Sequence, residues 1–218
     1  MGGENTNAKL AKKIVHNCAP TLAALKPANL FTVHFMDARS GNACAQERAS
    51  RIVREGFASA LRSAREQLGS GGVSVRVLAV RPGNALVLVF RPELVARAFA
   101  NSRASAYLQS LGYNVDSLDA CIAELARRVR ASDALAGAER SRAFPHEVGF
   151  FLGYPPEDVI AFIEGGSECL CTGCWKAYGD ACSAQACFEA YRRCVRMMDQ
   201  LHEQGAPLHY LAQLEAAS

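Results

Sequence analysis

Residues 73–91 read VSVRVLAVRPGNALVLVFR, and the fold follows from this stretch. Val73–Val80 and Ala85–Arg91 are rich in β-branched and apolar side chains, the composition of strands. Between them, Arg81-Pro82-Gly83-Asn84 places Pro and Gly at the two central positions of a four-residue turn, the preference of type II. The pair is therefore a β-hairpin. Its second strand is apolar on both faces, which predicts a central strand covered on each side.

Working outward, residues 46–68 carry Val53, Phe57, Leu61, Ala64 and Leu68 at steps of three and four, one face of an amphipathic helix. Gly69, Gly71 and Gly72 end it. On the other side, residues 92–111 read as helix broken near Asn101, and Leu118, Ile122, Leu125 and Val129 mark another that Asp116 or Ser117 caps. Residues 132–142 read as a polar, Ala-rich linker. Helices are expected at 145–153 and 156–164, a strand at 170–178, and the strongest helix at 181–204, where Phe188, Tyr191, Val195, Met198 and His202 keep helical spacing. Pro207 opens a last short helix. Near the start, a helical turn at Thr21–Leu25 leads through Lys26-Pro27 to a strand at Leu30–Phe35. The expected class is α+β, a small, mostly antiparallel sheet covered by helices. Residues 1–13 are expected to be a flexible N-terminus and 14–218 a single α+β domain, with a subdomain boundary allowed near 132–143.

Half of the 218 residues are hydrophobic and 21% are charged, the balance of a globular chain. The formal charge of +3 is too small to imply nucleic acid. The strictly apolar run Ala85–Phe90 is far shorter than the ~18 residues of a membrane span. Met1–Lys13 lacks a signal-peptide core, so the expected location is cytoplasmic. The nine Cys are an odd number and cannot all pair within one chain. In a reducing compartment such residues are buried, reactive or metal-bound.

Three segments carry a resemblance. They are Cys18-Ala19-Pro20-Thr21-Leu22 with Lys26-Pro27-Ala28; Phe144-Pro145-His146-Glu147 with Phe151-Leu152-Gly153-Tyr154-Pro155 and Glu157-Asp158-Val159; and Trp175-Lys176 with Tyr178-Gly179-Asp180. Together, across about residues 14 to 204, they resemble a bacterial family of uncharacterised proteins, the domain of unknown function numbered 3793. The resemblance implies no activity, substrate or catalytic residue.

Three groups of residues carry chemistry. Cys169, Cys171 and Cys174 lie in ECLCTGCW, and the C-x-x-C of Cys171 and Cys174 suits a metal such as zinc or iron, with Cys169, Cys182, Cys18 or His16 as further donors, or a reactive dithiol; the competing reading makes them ordinary buried or surface thiols. Cys18 stands near His16 and Lys26, and a thiol beside a basic group ionises and attacks acyl or disulfide centres. The competing reading packs Cys18 beneath a turn fixed by Pro20. His146-Glu147 offers proton transfer or metal ligation, although Phe150 stands where H-E-x-x-H needs its second His. The competing reading places Glu147 in a first helical turn, at the positive helix end. Cys187 and Cys194 read as packing residues of the long helix, and the Arg192, Arg193 and Arg196 cluster reads as a solvated face. The glycines at 69–72 follow a helix and precede a strand, opposite to a phosphate loop, and no G-x-S-x-G occurs.

These features support a thiol- or metal-associated protein using the C-x-x-C, a non-catalytic small-molecule or partner-binding module built by the three signature segments, or a small-molecule enzyme centred on Cys18, Lys26 and His146.

Overall fold

The computed structural model describes residues 2–34, 43–166 and 168–214, with side chains described for 6–34, 51–166 and 168–214. Among these residues the chain is α+β. The hairpin forms as expected: β2 (Ser74–Arg81) and β3 (Asn84–Phe90) pair antiparallel around a turn in which Gly83 takes a φ of 79°. The strand β1 (Ala28–His34) pairs antiparallel with the other edge of β3, from Ala28 opposite Phe90 to His34 opposite Asn84. The order is β1-β3-β2, so β3 is central. Phe35, expected to end β1, lies outside the described residues.

Strand alternation on β3 assigns its side chains to two cores. Ala85, Val87 and Val89 face one, and Leu86, Leu88 and Phe90 face the other. On β2 the register shifts between Val77 and Ala79, which bulges the strand and sends Leu78 and Ala79 together into the second core. The first core is closed by α1 (Gly2–Leu22), α2 (Ala43–Gly69), α9 (Ala181–Glu203) and the short α10 (Leu208–Leu211). The second is closed by α3 (Pro92–Phe99), α4 (Ser102–Ser110), α5 (Leu118–Asp133), α7 (Val148–Phe151) and α8 (Pro156–Glu164). The sheet is thus sandwiched between two helical layers. Asn101 separates α3 from α4 and caps α4 by accepting from Arg103 and Ala104 N–H, and Ser117 caps α5. No described helix is long and apolar enough to cross a membrane.

Three local expectations are corrected. The helical turn at Thr21–Leu25 is instead the end of α1, which runs from Gly2 to Leu22 with Pro20 in its last turn. Leu10, Ile14, Cys18 and Leu22, each one turn apart, are all buried and hold the helix on the sheet. Its end is unusual. Ala24 takes a left-handed φ of 57°, and the carbonyls of Thr21 and Leu22 accept hydrogen bonds from the Arg91 guanidinium, which also reaches the carbonyls of Gly71 and Ala212. One side chain thereby satisfies helix-end acceptors that lack intrahelical partners.

The second correction concerns residues 132–142. They are not a linker: α5 runs to Asp133 and α6 (Gly137–Ala143) follows. Asp133 ties the region down by pairing with Arg81 at 2.7 Å and Arg140 at 2.8 Å. The third concerns 170–178, which form a small hairpin of β4 (Cys171–Thr172) and β5 (Lys176–Ala177), apart from the main sheet.

Candidate functional site

The three signature segments meet in space. Lys26-Pro27 follows α1, and Pro27 packs on Gly153 at the end of α7. A Cβ on Gly153, whose φ is 76°, would come within 2.5 Å of Pro27 Cδ, so only glycine allows the approach. The next residue, Tyr154, reaches in both directions. Its hydroxyl lies 3.5 Å from Lys26 Nζ and donates to the Cys174 carbonyl at 2.9 Å. Its ring stacks on Trp175 with centroids 5.0 Å apart.

Asp158, in the first turn of α8, fixes the third segment. Only 3% exposed, it accepts from Trp175 Nε1 at 2.8 Å, Tyr178 N at 2.7 Å and Gly179 N at 3.0 Å. A carboxylate at this position suits the positive end of its own helix. The structure shows it holding the β4–β5 hairpin by three hydrogen bonds. Trp175 is also wedged edge-on against Phe188 of α9, with centroids 4.5 Å apart. Gly173, at the hairpin tip, leaves no room for a side chain, because a Cβ there would meet Phe188 Cδ2 at 2.2 Å.

A cavity of about 320 Å³ opens where α1, the Lys26 segment, the hairpin and α9 meet. Lys26, Asn29, Cys174, Tyr191, Arg192 and Arg196 line it. Lys26 is only 3% exposed. Its ammonium lies over the Tyr154 ring at 4.9 Å and the Tyr191 ring at 5.8 Å. No carboxylate lines this cavity or pairs with Lys26 among the described residues. Burial therefore pulls the amine below the ordinary lysine range, and the thiols of Cys174, Cys18 and Cys187 offset this only in part. Tyr154 and Tyr191 are pushed well up by burial, Tyr191 also by its hydrogen bond with Cys187, so both stay neutral phenols. Cys174 is raised by burial against the opposing pull of Lys26. Asn29 is already committed, donating to the Asn17 carbonyl at 2.7 Å and accepting from Thr21 Oγ1 at 3.1 Å. Arg192 lies 3.6 Å from Glu189 on the surface, whereas Arg196 has no ion pair among the described residues.

The other residues singled out from the sequence fall elsewhere. Cys18 is fully buried in the first core, where desolvation pushes its thiol far up despite Lys26 nearby. His16 is on the exposed side of α1, paired with Asp199 at 2.8 Å. His146 lines a separate, largely apolar cavity of about 270 Å³ together with Tyr154, Phe162 and Trp175, and its ring meets those of Phe144 and Phe162 edge-on. Glu147 turns away from it. At 6% exposure, it accepts from Tyr113 Oη at 2.9 Å and Arg128 Nη1 at 3.3 Å, an anchor between α5 and α7 rather than an N-terminal helix charge. The structure thus brings Lys26 to Cys174 and keeps Cys18, His146 and Glu147 out of their cavity.

The C-x-x-C straddles the hairpin tip. Cys171 packs toward Phe188 and Ala184, with Sγ 3.9 Å from the Ala181 carbonyl, while Cys174 lines the Lys26 cavity. Cys169 Sγ lies 3.6 Å from Thr172 Oγ1. Among the described residues, no group of three or more His, Cys, Asp and Glu side chains is placed to hold a metal ion. Of the helix cysteines, Cys194 is buried in the first core as expected, and Cys187 is half-buried.

Tyr154 and Asp158 belong to a signature segment, whereas Tyr191, Arg192 and Arg196 carry no signal in the sequence that joins them to the site. Arg192 and Arg196 are one helical turn apart on α9, a spacing that any solvated face shares. Only the position of Lys26 gives the pair a common target.

Two helical layers around a three-stranded antiparallel sheet, with a cationic cavity between the Lys26 segment and α9, define the class of protein. A family model described as "Protein of unknown function (DUF3793)" matches residues 14–212, and the chain belongs to that family. No curated protein and no solved structure shows a significant match.

Proposed function

We propose that this chain is a small-molecule-binding protein whose ligand is a small anion held in the Lys26 cavity. The observation that carries this reading is a nearly fully buried ammonium with no carboxylate partner, facing a cavity whose rim bears Arg192 and Arg196. Taking an ammonium out of water costs several kcal/mol unless an anion or hydrogen bonds compensate. Two tyrosine faces and one long hydrogen bond compensate only partly. A carboxylate or phosphate entering the cavity completes the pairing, and the rim arginines attract it. The cavity volume suits a ligand of a few heavy atoms.

The sole tryptophan, Trp175, stacks on Tyr154 and reports on the site. Titration of the full chain with glycolate, succinate and inorganic phosphate, followed by Trp175 fluorescence and calorimetry, is expected to give saturable binding of at least one. That binding should be lost in Lys26→Met and weakened by high salt. Absence of binding by all three, or equal binding by a folded Lys26→Met variant, overturns the reading.

A further inference from the structure

The same cavity holds the elements of a covalent carbonyl site, and this inference rests on the anion-binding reading above. We infer that Lys26 captures a small aldehyde or ketone bearing a carboxylate, forming an imine through Nζ while Arg196 and Arg192 hold the carboxylate. The geometry supports each part. Lys26 Nζ is fixed between two aromatic faces, with the Tyr154 hydroxyl 3.5 Å away. Tyr154 is itself held, because its proton is donated to the Cys174 carbonyl. Arg192 and Arg196 line the cavity from α9 and Lys26 lines it from the segment after α1, so a carboxylate held by the arginines places its adjacent carbonyl between the two walls.

A lysine acts as a nucleophile only as the free amine, and burial beside other cations is the usual way of obtaining it. Burial supplies this at Lys26: desolvation is the largest influence on it, and no acid lines the cavity to hold the proton on. The step balances without a further reactant. The amine lone pair forms the C–N bond as the carbonyl π pair moves to oxygen, giving a carbinolamine. The nitrogen lone pair then breaks the C–O bond and water leaves, its two protons being the two lost from the amine nitrogen. The product is the imine, which water reverses.

The test uses the full chain with glyoxylate as carbonyl probe and glycolate as its non-carbonyl counterpart. Glyoxylate is added near neutral pH with cyanoborohydride, which reduces an imine to a stable secondary amine, and the lysines are mapped by peptide mass. The expected result is a carboxymethyl group predominantly on Lys26, with little on exposed Lys9, Lys12 and Lys176. The adduct at this position disappears in Lys26→Met. Arg196 is exposed, so Arg196→Glu preserves the fold and is expected to lower the Lys26 yield about fivefold, the effect of one lost surface charge contact. That arm keeps the inference testable if Lys26→Met does not fold. Labelling spread over the exposed lysines without Lys26, while glycolate still perturbs Trp175, overturns the imine and leaves anion binding standing. Failure of both probes overturns both. Lys26 labelling that is unchanged in Arg196→Glu overturns the placement of the carboxylate.

Discussion

Replacing Asp158 by Asn tests whether one buried carboxylate assembles the site. In the wild type, Oδ1 accepts from two backbone N–H groups, at 2.7 and 3.0 Å, and Oδ2 accepts from Trp175 Nε1 at 2.8 Å. Asn keeps one acceptor oxygen, which satisfies the backbone pair, but sets an NH2 against the indole N–H. One charge-assisted bond, worth about 1.5–3 kcal/mol, is lost, and a donor is left unpaired. The expected cost is about 2–4 kcal/mol, which for a chain of this size lowers Tm by about 5–15 °C. Asp158→Ala removes all three acceptances and costs about 3–5 kcal/mol. Because the β4–β5 hairpin lies apart from the main sheet, part of this loss appears as local opening. Exchange of the Tyr178 and Gly179 amides should then accelerate about thirtyfold for 2 kcal/mol. Urea denaturation, Trp175 emission and amide exchange together measure the effect. A stability change below about 0.5 kcal/mol, the range of an ordinary surface substitution, with unshifted Trp175 emission would refute the reasoning.

Other expected outcomes follow from the same geometry. Gly153→Ala combines a left-handed φ with a clash on Pro27 and is expected to cost about 2–4 kcal/mol, read from urea midpoints. Lys26 titrates lower in the folded chain than its ordinary 10.5, so its burial penalty is full at low pH and is relieved as pH rises through the folded value toward 10.5. Lys26→Met should therefore be more stable than wild type near neutral pH, with an advantage that shrinks on approaching pH 10.5, as thermal melts at several pH values will show. Glu124 is held down to about 2 by hydrogen bonds from Arg127 and Arg128, so its contribution is complete above about 4.5 and is lost as pH falls toward 2. Glu124→Gln should flatten the stability profile in that acid window. Under native conditions iodoacetamide should modify exposed Cys182 and leave buried Cys18 and Cys121 unmodified until the chain unfolds, as peptide mapping will show.

What the sequence determined by itself is local and periodic. The unbroken apolar run of residues 85–90 placed β3 in the centre of a sheet, because a strand apolar on both faces needs cover on both. Pro82-Gly83 set the turn through backbone preference, and Asn101 and Ser117 set helix starts by bonding N–H groups a few residues away. The three-four spacing of α9 was equally plain. Each of these rests on neighbours within one or two turns of chain. The tertiary structure decided what depends on distant partners. The N-terminal half of α1 is lysine-rich and looks unstructured until Leu10 and Ile14 meet the sheet. The 170–178 segment reads as one strand because nothing within it announces that Asp158 will fold it into a hairpin. Lys26 shows the limit most clearly. Beside Pro27 in an extended connection it carries no periodic signal, and a lysine ordinarily belongs in water. Its burial follows from Pro27 seating on Gly153 and from rings contributed by Tyr154 and Tyr191, more than a hundred residues away in the chain, because desolvation is a property of the packed surroundings rather than of the residue.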